Sequence, residues 1–126
     1  MRMVGHGIDA VRVQVIRNSI DAGDRWCERV YSKDERAQAD PPPREARYYA
    51  GRFAGKEAVV KALGTGFRGQ MTWRGVEILR GESGQPHVRL SNEVLAQAAE
   101  LGVTEWLISI SHCGEISLAS AIALGP

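Results

Sequence analysis

The stretch Gly51-Arg52-Phe53-Ala54-Gly55-Lys56-Glu57-Ala58-Val59-Val60-Lys61-Ala62-Leu63-Gly64-Thr65-Gly66 decides the fold. Plotted at helical spacing, Tyr49, Phe53, Val60 and Leu63 fall on one stripe, which predicts a core-facing seam. Beside that seam lie Glu57 and Lys61, one turn apart, among Ala50, Ala54 and Ala58. A carboxylate and an ammonium in a strip of small side chains leave room for a bulky neighbour, a strand or a ligand. Gly64-Thr65-Gly66 ends the helix, because glycine accepts the left-handed turn of a C-cap. A lone Glu–Lys pair at this spacing is an ordinary surface ion pair. The alanine strip, the glycine-rich exit and an isolated acid near the N-terminus, Asp9, point beyond that.

Upstream, residues 3–11 read as a strand. Met3, Gly5, Gly7, Asp9 and Val11 share one face; Val4, His6, Ile8 and Ala10 share the other. Asp9 thus stands beside two glycines, which are expected to leave open space around it. Aspartate is disfavoured inside a strand. Two roles fit it equally on this pattern: capping the helix that follows, or ligating a metal. Residues 13–20 and 24–30 carry short helical patterns, and Ser32-Lys33-Asp34-Glu35 is a capping box that opens another. Asp40-Pro41-Pro42-Pro43 is a break, read as a surface loop feeding the long helix over 44–63.

Downstream, residues 67–72 read as a loop. Residues 75–80 and 87–90 are predicted strands joined by a hairpin through Gly84-Gln85-Pro86. Ser91 and Asn92 can cap a helix that runs to Leu101 and stops at Gly102. Residues 106–113 are a strand with Ile108, Ile110 and His112 on one face. Leu107, Ser109, Ser111 and Cys113 take the other. Residues 116–124 form its hairpin partner, whose small side, Ser117, Ala119, Ala121 and Ala123, would pack closely on a helix. The class is α+β: an antiparallel sheet packed against one long helix plus several short helices, in a single domain over 1–126.

Bulk properties exclude more than they assign. The 126 residues suffice for one domain with a modest core, and a net charge of +1 gives no overall field for nucleic acid or an anionic membrane. The charge is uneven, however. Residues 44–61 carry five bases against two acids, so the middle of the chain is the better place for an anionic ligand. Cys27 and Cys113 lie outside any zinc-type spacing, and no apolar run is long enough to span a membrane. The start has no signal-peptide core, so a cytoplasmic protein with reduced thiols is expected. No nucleophile elbow, P-loop or dinucleotide fingerprint occurs. What remains is Asp9 and Glu57 as hard oxygen ligands suited to magnesium, and Arg52, Lys56 and Lys61 as phosphate partners. His112 stands at a strand end, where its alternative is to continue the Ile108–Ile110 row.

Those residues stand in a recognisable order. Gly7-Ile8-Asp9, the run from Arg52 to Gly66, and Ser109-Ile110-Ser111-His112 match three signatures of the holo-acyl-carrier-protein synthases, the short-chain 4′-phosphopantetheinyl transferases. The long middle signature reads Arg-Phe-Ala-x-Lys-Glu-Ala-x-x-Lys-Ala-x-Gly-Thr-Gly and is specific. Glu28 to Ser32 and the Gly84-Gln85-Pro86 hairpin agree as well, so the resemblance covers nearly the whole chain.

The resemblance implies a 4′-phosphopantetheinyl transferase-like fold and a reaction. The 4′-phosphopantetheine arm of coenzyme A moves to a serine of apo acyl carrier protein, releasing adenosine 3′,5′-bisphosphate. It implies Mg2+ on Asp9 and Glu57, with Glu57 also orienting a water as general base and Lys61 neutralising a diphosphate oxygen. Arg52, Lys61, Gly64, Thr65, Gly66, Ser111 and His112 become the coenzyme A contacts. Arg12, Arg17 and Arg29 become the carrier-docking bases, since Val15 stands where the family often has arginine. Cys113 replaces a commoner threonine, serine or charged residue. A homotrimer with sites between subunits is the implied assembly. A catalytically weak coenzyme A- or carrier-binding module of the same fold is the competing class; intact Asp9, Glu57 and Lys61 argue against it.

Overall fold

The computed structural model describes residues 1–67, 69 and 71–126. It places α4 (Glu45–Ala62) at the centre. Before α4 come β1 (Arg2–Arg12), α1 (Val13–Asp21), α2 (Asp24–Val30) and α3 (Lys33–Ala37). After it come a 3-10 turn (Trp73–Gly75), β2 (Val76–Arg80), β3 (Pro86–Leu90), α5 (Asn92–Glu100), β4 (Glu105–Cys113) and β5 (Ile116–Gly125). The strands form a three-stranded antiparallel sheet, β1-β5-β4, and a separate β2-β3 hairpin. The loop expected over 67–72 falls partly on 68 and 70, which lie outside the described residues.

Strand β5 is central, and its small face is what admits the helix. Ala119, Ala121 and Ala123 are buried beneath α4, as the alternation of small residues predicts. The side chains that share this inner face form rows across the sheet: Gly7–Ala121–Ile108, Asp9–Ala119–Ile110 and Val11–Ser117–His112. The outer rows are Met3–Leu124–Glu105, His6–Ile122–Leu107, Ile8–Ser120–Ser109 and Ala10–Leu118–Ser111. A register shift between Met3 and Gly5 turns Met3 to the outer face, against the simple alternation of the sequence.

Glycine at positions 5 and 7 has a different purpose from the one expected. It does not open space around Asp9. A Cβ on Gly5 would lie 1.9 Å from the Ala62 carbonyl oxygen, and one on Gly7 2.0 Å from that of Ala58. Only hydrogen fits there, so the backbone of β1 presses directly on the alanine strip of α4. The helix itself is enclosed on nearly every side rather than along one seam. Tyr49, Val60 and Leu63 are buried as expected, but so are Tyr48, Ala50, Ala54, Ala58 and Val59. Helix α1, the sheet and strand β2 lean on it, and Trp26 of α2 sets its ring 5.9 Å from that of Phe53. The stripe left partly open is Phe53, Glu57 and Lys61, successive i,i+4 positions.

The helix ends in a Schellman motif. Gly64 is left-handed (φ 79) and its N–H donates to the Lys61 carbonyl, while the Thr65 N–H donates to that of Val60. The Ser32 capping box of α3 is present in full. Ser91 stands at the N-cap of α5 but makes no side-chain capping bond. Asp9 caps nothing: β1 runs on to Arg12, and Arg12 is the N-cap of α1.

Candidate functional site

Strand β1 crosses the C-terminal half of α4, and the contact of bare glycine on alanine sets Asp9 beside the open stripe of the helix. Lys61 donates to Asp9 Oδ1 at 2.9 Å and to the Ile8 carbonyl at 3.1 Å. Glu57, one turn back, makes no side-chain hydrogen bond among the described residues. Its carboxyl is held above its ordinary value by partial burial and then by the Asp9 charge, with Lys61 acting the other way. Asp9, Glu57 and Lys61 therefore converge on one corner. Lys61 is raised by its hydrogen bond and charge pairing with Asp9, so it stays cationic.

That corner fits a divalent cation. Its two carboxylates are close enough for the Asp9 charge to raise the Glu57 carboxyl, and both offer hard oxygen. Among the described residues no group of three or more His, Cys, Asp and Glu could hold a metal ion. A two-carboxylate set suits magnesium, which fills its shell with water and phosphate oxygens.

His112 lies elsewhere. It faces α4 from β4, and a Cβ on Gly51 would come within 3.1 Å of its Cε1. Gly51 is six residues before Glu57, about 9 Å along the helix and a third of a turn around it. Desolvation lowers the His112 pKa, and Arg47 and Arg52 lower it further. So a second, basic corner flanks the helix on the β4 side, across β5 from Asp9. Arg52 is buried there, its guanidinium 4.4 Å over the Tyr48 ring. The Arg52 Nε is buried and has no partner among the described residues.

Other expected residues divide. Gly64, Thr65 and Gly66 form the helix exit next to Lys61, and the Thr65 hydroxyl is engaged by the Gly66 carbonyl at 2.8 Å. Ser111 is exposed on the outer face of the sheet, opposite His112, because alternate residues of a strand face opposite ways. Within one chain it cannot join the His112 corner. Lys56 is no phosphate partner. It is fully buried, paired to Glu35 at 2.7 Å, and donates to the carbonyls of Trp73 and Val76. Burial lowers its pKa and Glu35 restores part of it. Lys56 is one residue from Glu57 but on the side of the helix that faces β2.

Arg12 is exposed and Arg17 half-buried. Neither lines the open cleft of about 900 Å³ beside α1 and α2. Arg29 does, together with Arg25, Arg74, Trp26 and Glu28. None of Asp9, Glu57 and Lys61 lines this cleft. The carboxylate pair lies at the other corner. The i,i+4 spacing of Arg25 and Arg29 was visible in the sequence; Arg74 comes from a distant segment and was not.

A two-layer fold with its acids and lysine at the strand–helix crossing defines a class. Residues 5–116 match the family model of the 4′-phosphopantetheinyl transferase superfamily, and the chain belongs to that family. Holo-[acyl-carrier-protein] synthase of Desulforudis audaxviator is 42% identical over 125 residues, covering 98% of this chain and 95% of that protein. The holo-(acyl-carrier-protein) synthase of Bacillus anthracis, solved in complex with CoA (3′,5′-ADP), superposes with a TM-score of 0.81 at 28% identity, covering 98% of both chains. The Helicobacter pylori synthase, solved in complex with coenzyme A, gives 0.82 at 25% identity, covering 94% of this chain and 99% of that one. Within the superfamily the chain takes its place among the holo-[acyl-carrier-protein] synthases. No helix among the described residues is long and apolar enough to cross a membrane.

Proposed function

We propose that this enzyme transfers the 4′-phosphopantetheine arm of coenzyme A to a serine of apo acyl carrier protein, with magnesium, in the cytoplasm. The observation that carries the reading is the convergence of Asp9, Glu57 and Lys61 where β1 crosses α4. The serine oxygen attacks the phosphorus that bears the pantetheine arm. The bond from that phosphorus to the bridging oxygen breaks, and its electron pair leaves with adenosine 3′,5′-bisphosphate. Glu57 orients a water that takes the serine proton, acting as general base. Lys61 is exposed enough to leave Asp9 partly and meet a diphosphate oxygen. Asp9 and Glu57 would hold the magnesium ion, which when bound neutralises charge on the diphosphate.

His112 and Arg52, whose buried Nε–H has no partner among the described residues, offer donors for another phosphate of coenzyme A. The two corners flank opposite edges of the sheet with α4 against its inner face, so each edge offers one half of a coenzyme A site. A cyclic homotrimer that sets the β1 edge of one copy against the β4 edge of the next completes the site. Ser111, outward on β4, would then lie near that seam. Arg29, with Arg25 and Arg74, steers the acidic carrier. The test is mass spectrometry of an apo carrier incubated with enzyme, coenzyme A and magnesium. A gain of one phosphopantetheine arm is expected. An unmodified carrier across fatty-acid, polyketide and peptide types overturns the reading.

A further inference from the structure

Ser117 is a buried hydroxyl that the transfer chemistry does not use. It faces His112 directly across the β4-β5 ladder, and its Oγ lies 2.7 Å from His112 Nδ1. Ser117 is 0% exposed, and its hydroxyl has no other hydrogen-bond partner among the described residues. A neutral imidazole carries one N–H, on either nitrogen. If the proton sat on Nδ1, it would donate to Ser117, and the serine proton would be left buried without an acceptor. If it sits on Nε2, the serine donates to Nδ1 and no donor is orphaned. Leaving a buried donor unpaired is the costlier arrangement. The imidazole is also fixed in rotation, because Gly51 leaves a shelf beneath Cε1 that any Cβ would occupy.

We infer that Ser117 positions His112 and selects the tautomer in which Nε2–H points away from Ser117 as a donor to a substrate oxyanion. Around His112 stand Arg47 and Arg52 from α4 and Ser117 from β5. Neither arginine forms an ion pair among the described residues, and Arg52 has a buried N–H without an acceptor. An anion is therefore the missing partner of this corner. Because Ser117 sets the tautomer, His112 serves as donor while uncharged, beside two cations that disfavour its protonation. The anion rests on the proposal that His112 meets a coenzyme A phosphate; the tautomer does not.

The experiment is ¹⁵N NMR of the imidazole in the intact enzyme, at a pH above the titration of His112. Wild type should show a protonated Nε2 and an unprotonated, hydrogen-bonded Nδ1. Ser117→Ala should lose the Nδ1 hydrogen-bond shift and raise KM for coenzyme A roughly three- to tenfold, with kcat and the carrier KM little changed. Ser117→Thr, which keeps the hydroxyl, should restore both. A wild-type imidazole protonated on Nδ1, or a Ser117→Ala variant with unchanged Nδ1 shift and KM, overturns the inference. His112→Ala with an unchanged coenzyme A KM would instead reject the phosphate assignment, and the NMR result tells the two failures apart.

Discussion

Glu57 is the side chain on which the proposed transfer chemistry turns, since among the described residues its carboxylate makes no side-chain hydrogen bond, whereas Asp9 already accepts from Lys61. Glu57→Gln and Asp9→Asn should each keep the fold and lower transfer at least about a hundredfold, the lower range for removing a proton-transfer group. Transfer by Glu57→Gln at close to the wild-type rate under saturating magnesium would reject the assignment. Lys61→Ala should lower turnover without weakening magnesium affinity, because Lys61 neutralises Asp9 and competes with a cation for the same oxygen; a magnesium titration of transfer reads this out. His112 gives a pH dependence of the fold itself. Its native pKa lies below its ordinary 6.5 through desolvation and then through Arg47 and Arg52. The unfolded chain therefore binds the proton more readily than the native one. The stability this contributes is present above 6.5 and is lost as pH falls through the lowered native value. His112→Gln should flatten that acid-side loss in Tm measured against pH. Identical slopes for wild type and variant would contradict the shift.

The crossing of β1 over α4 is the joint that makes the site, and Gly5 and Gly7 are its thinnest points, Gly7 being the nearer to Asp9. Gly7→Ala would set a Cβ against the Ala58 carbonyl, and neither partner is a flexible side chain. The strand must lift or the helix must shift, at a cost of roughly 1–3 kcal/mol. Asp9 moves with the strand, so activity should fall further than a denaturant midpoint alone would suggest; wild-type values of both would mean that the joint yields freely. Much of this joint was legible in the sequence. The alanine strip, the small face of β5 and the glycine exit of α4 all follow from periodicity and from what glycine permits. The meaning of Gly5 and Gly7 did not, because a pattern of small residues reads alike whether it leaves space or admits a backbone. Lys56 shows the other limit. Its partner Glu35 lies on α3, outside any local pattern, and a lysine beside Glu57 looks like a phosphate ligand until the helix proves to be enclosed on that side too.

Among the described residues no element covers the outer face of the three-stranded sheet. Met3, Ile8 and Leu107 are 60%, 57% and 55% exposed on it, with Leu118, Ile122 and Leu124 between them. Exposed apolar side chains gathered on one face, with His6, Ser109, Ser111 and Ser120 among them, suit the proposed interface. The proposed carrier docking calls for a different, basic surface, and Arg29 lines such a cleft beside α2. Arg29→Glu should raise the carrier KM far more than the coenzyme A KM, with the difference shrinking as salt rises, whereas Arg12→Glu, outside the cleft, should change it less; equal effects would move docking back towards α1. The apolar face answers the separation of the two corners within one chain. Asp9 flanks α4 on the β1 side and His112 on the β4 side, and both strands are sheet edges. Copies that bury their outer faces around a common axis bring the β1 edge of one to the β4 edge of the next, and a ring of three closes with every face used once. Leu107→Asp puts a charge on the β4 side of that exposed face without touching either corner. It should leave a folded monomer by light scattering and circular dichroism, with transfer nearly lost. Mixing it with a trimer-competent Glu57→Gln variant should not restore activity, because Leu107→Asp chains cannot enter the ring. A Leu107→Asp monomer that transfers the arm at the wild-type rate would show that each chain holds a complete site, and the shared-site assembly would be wrong.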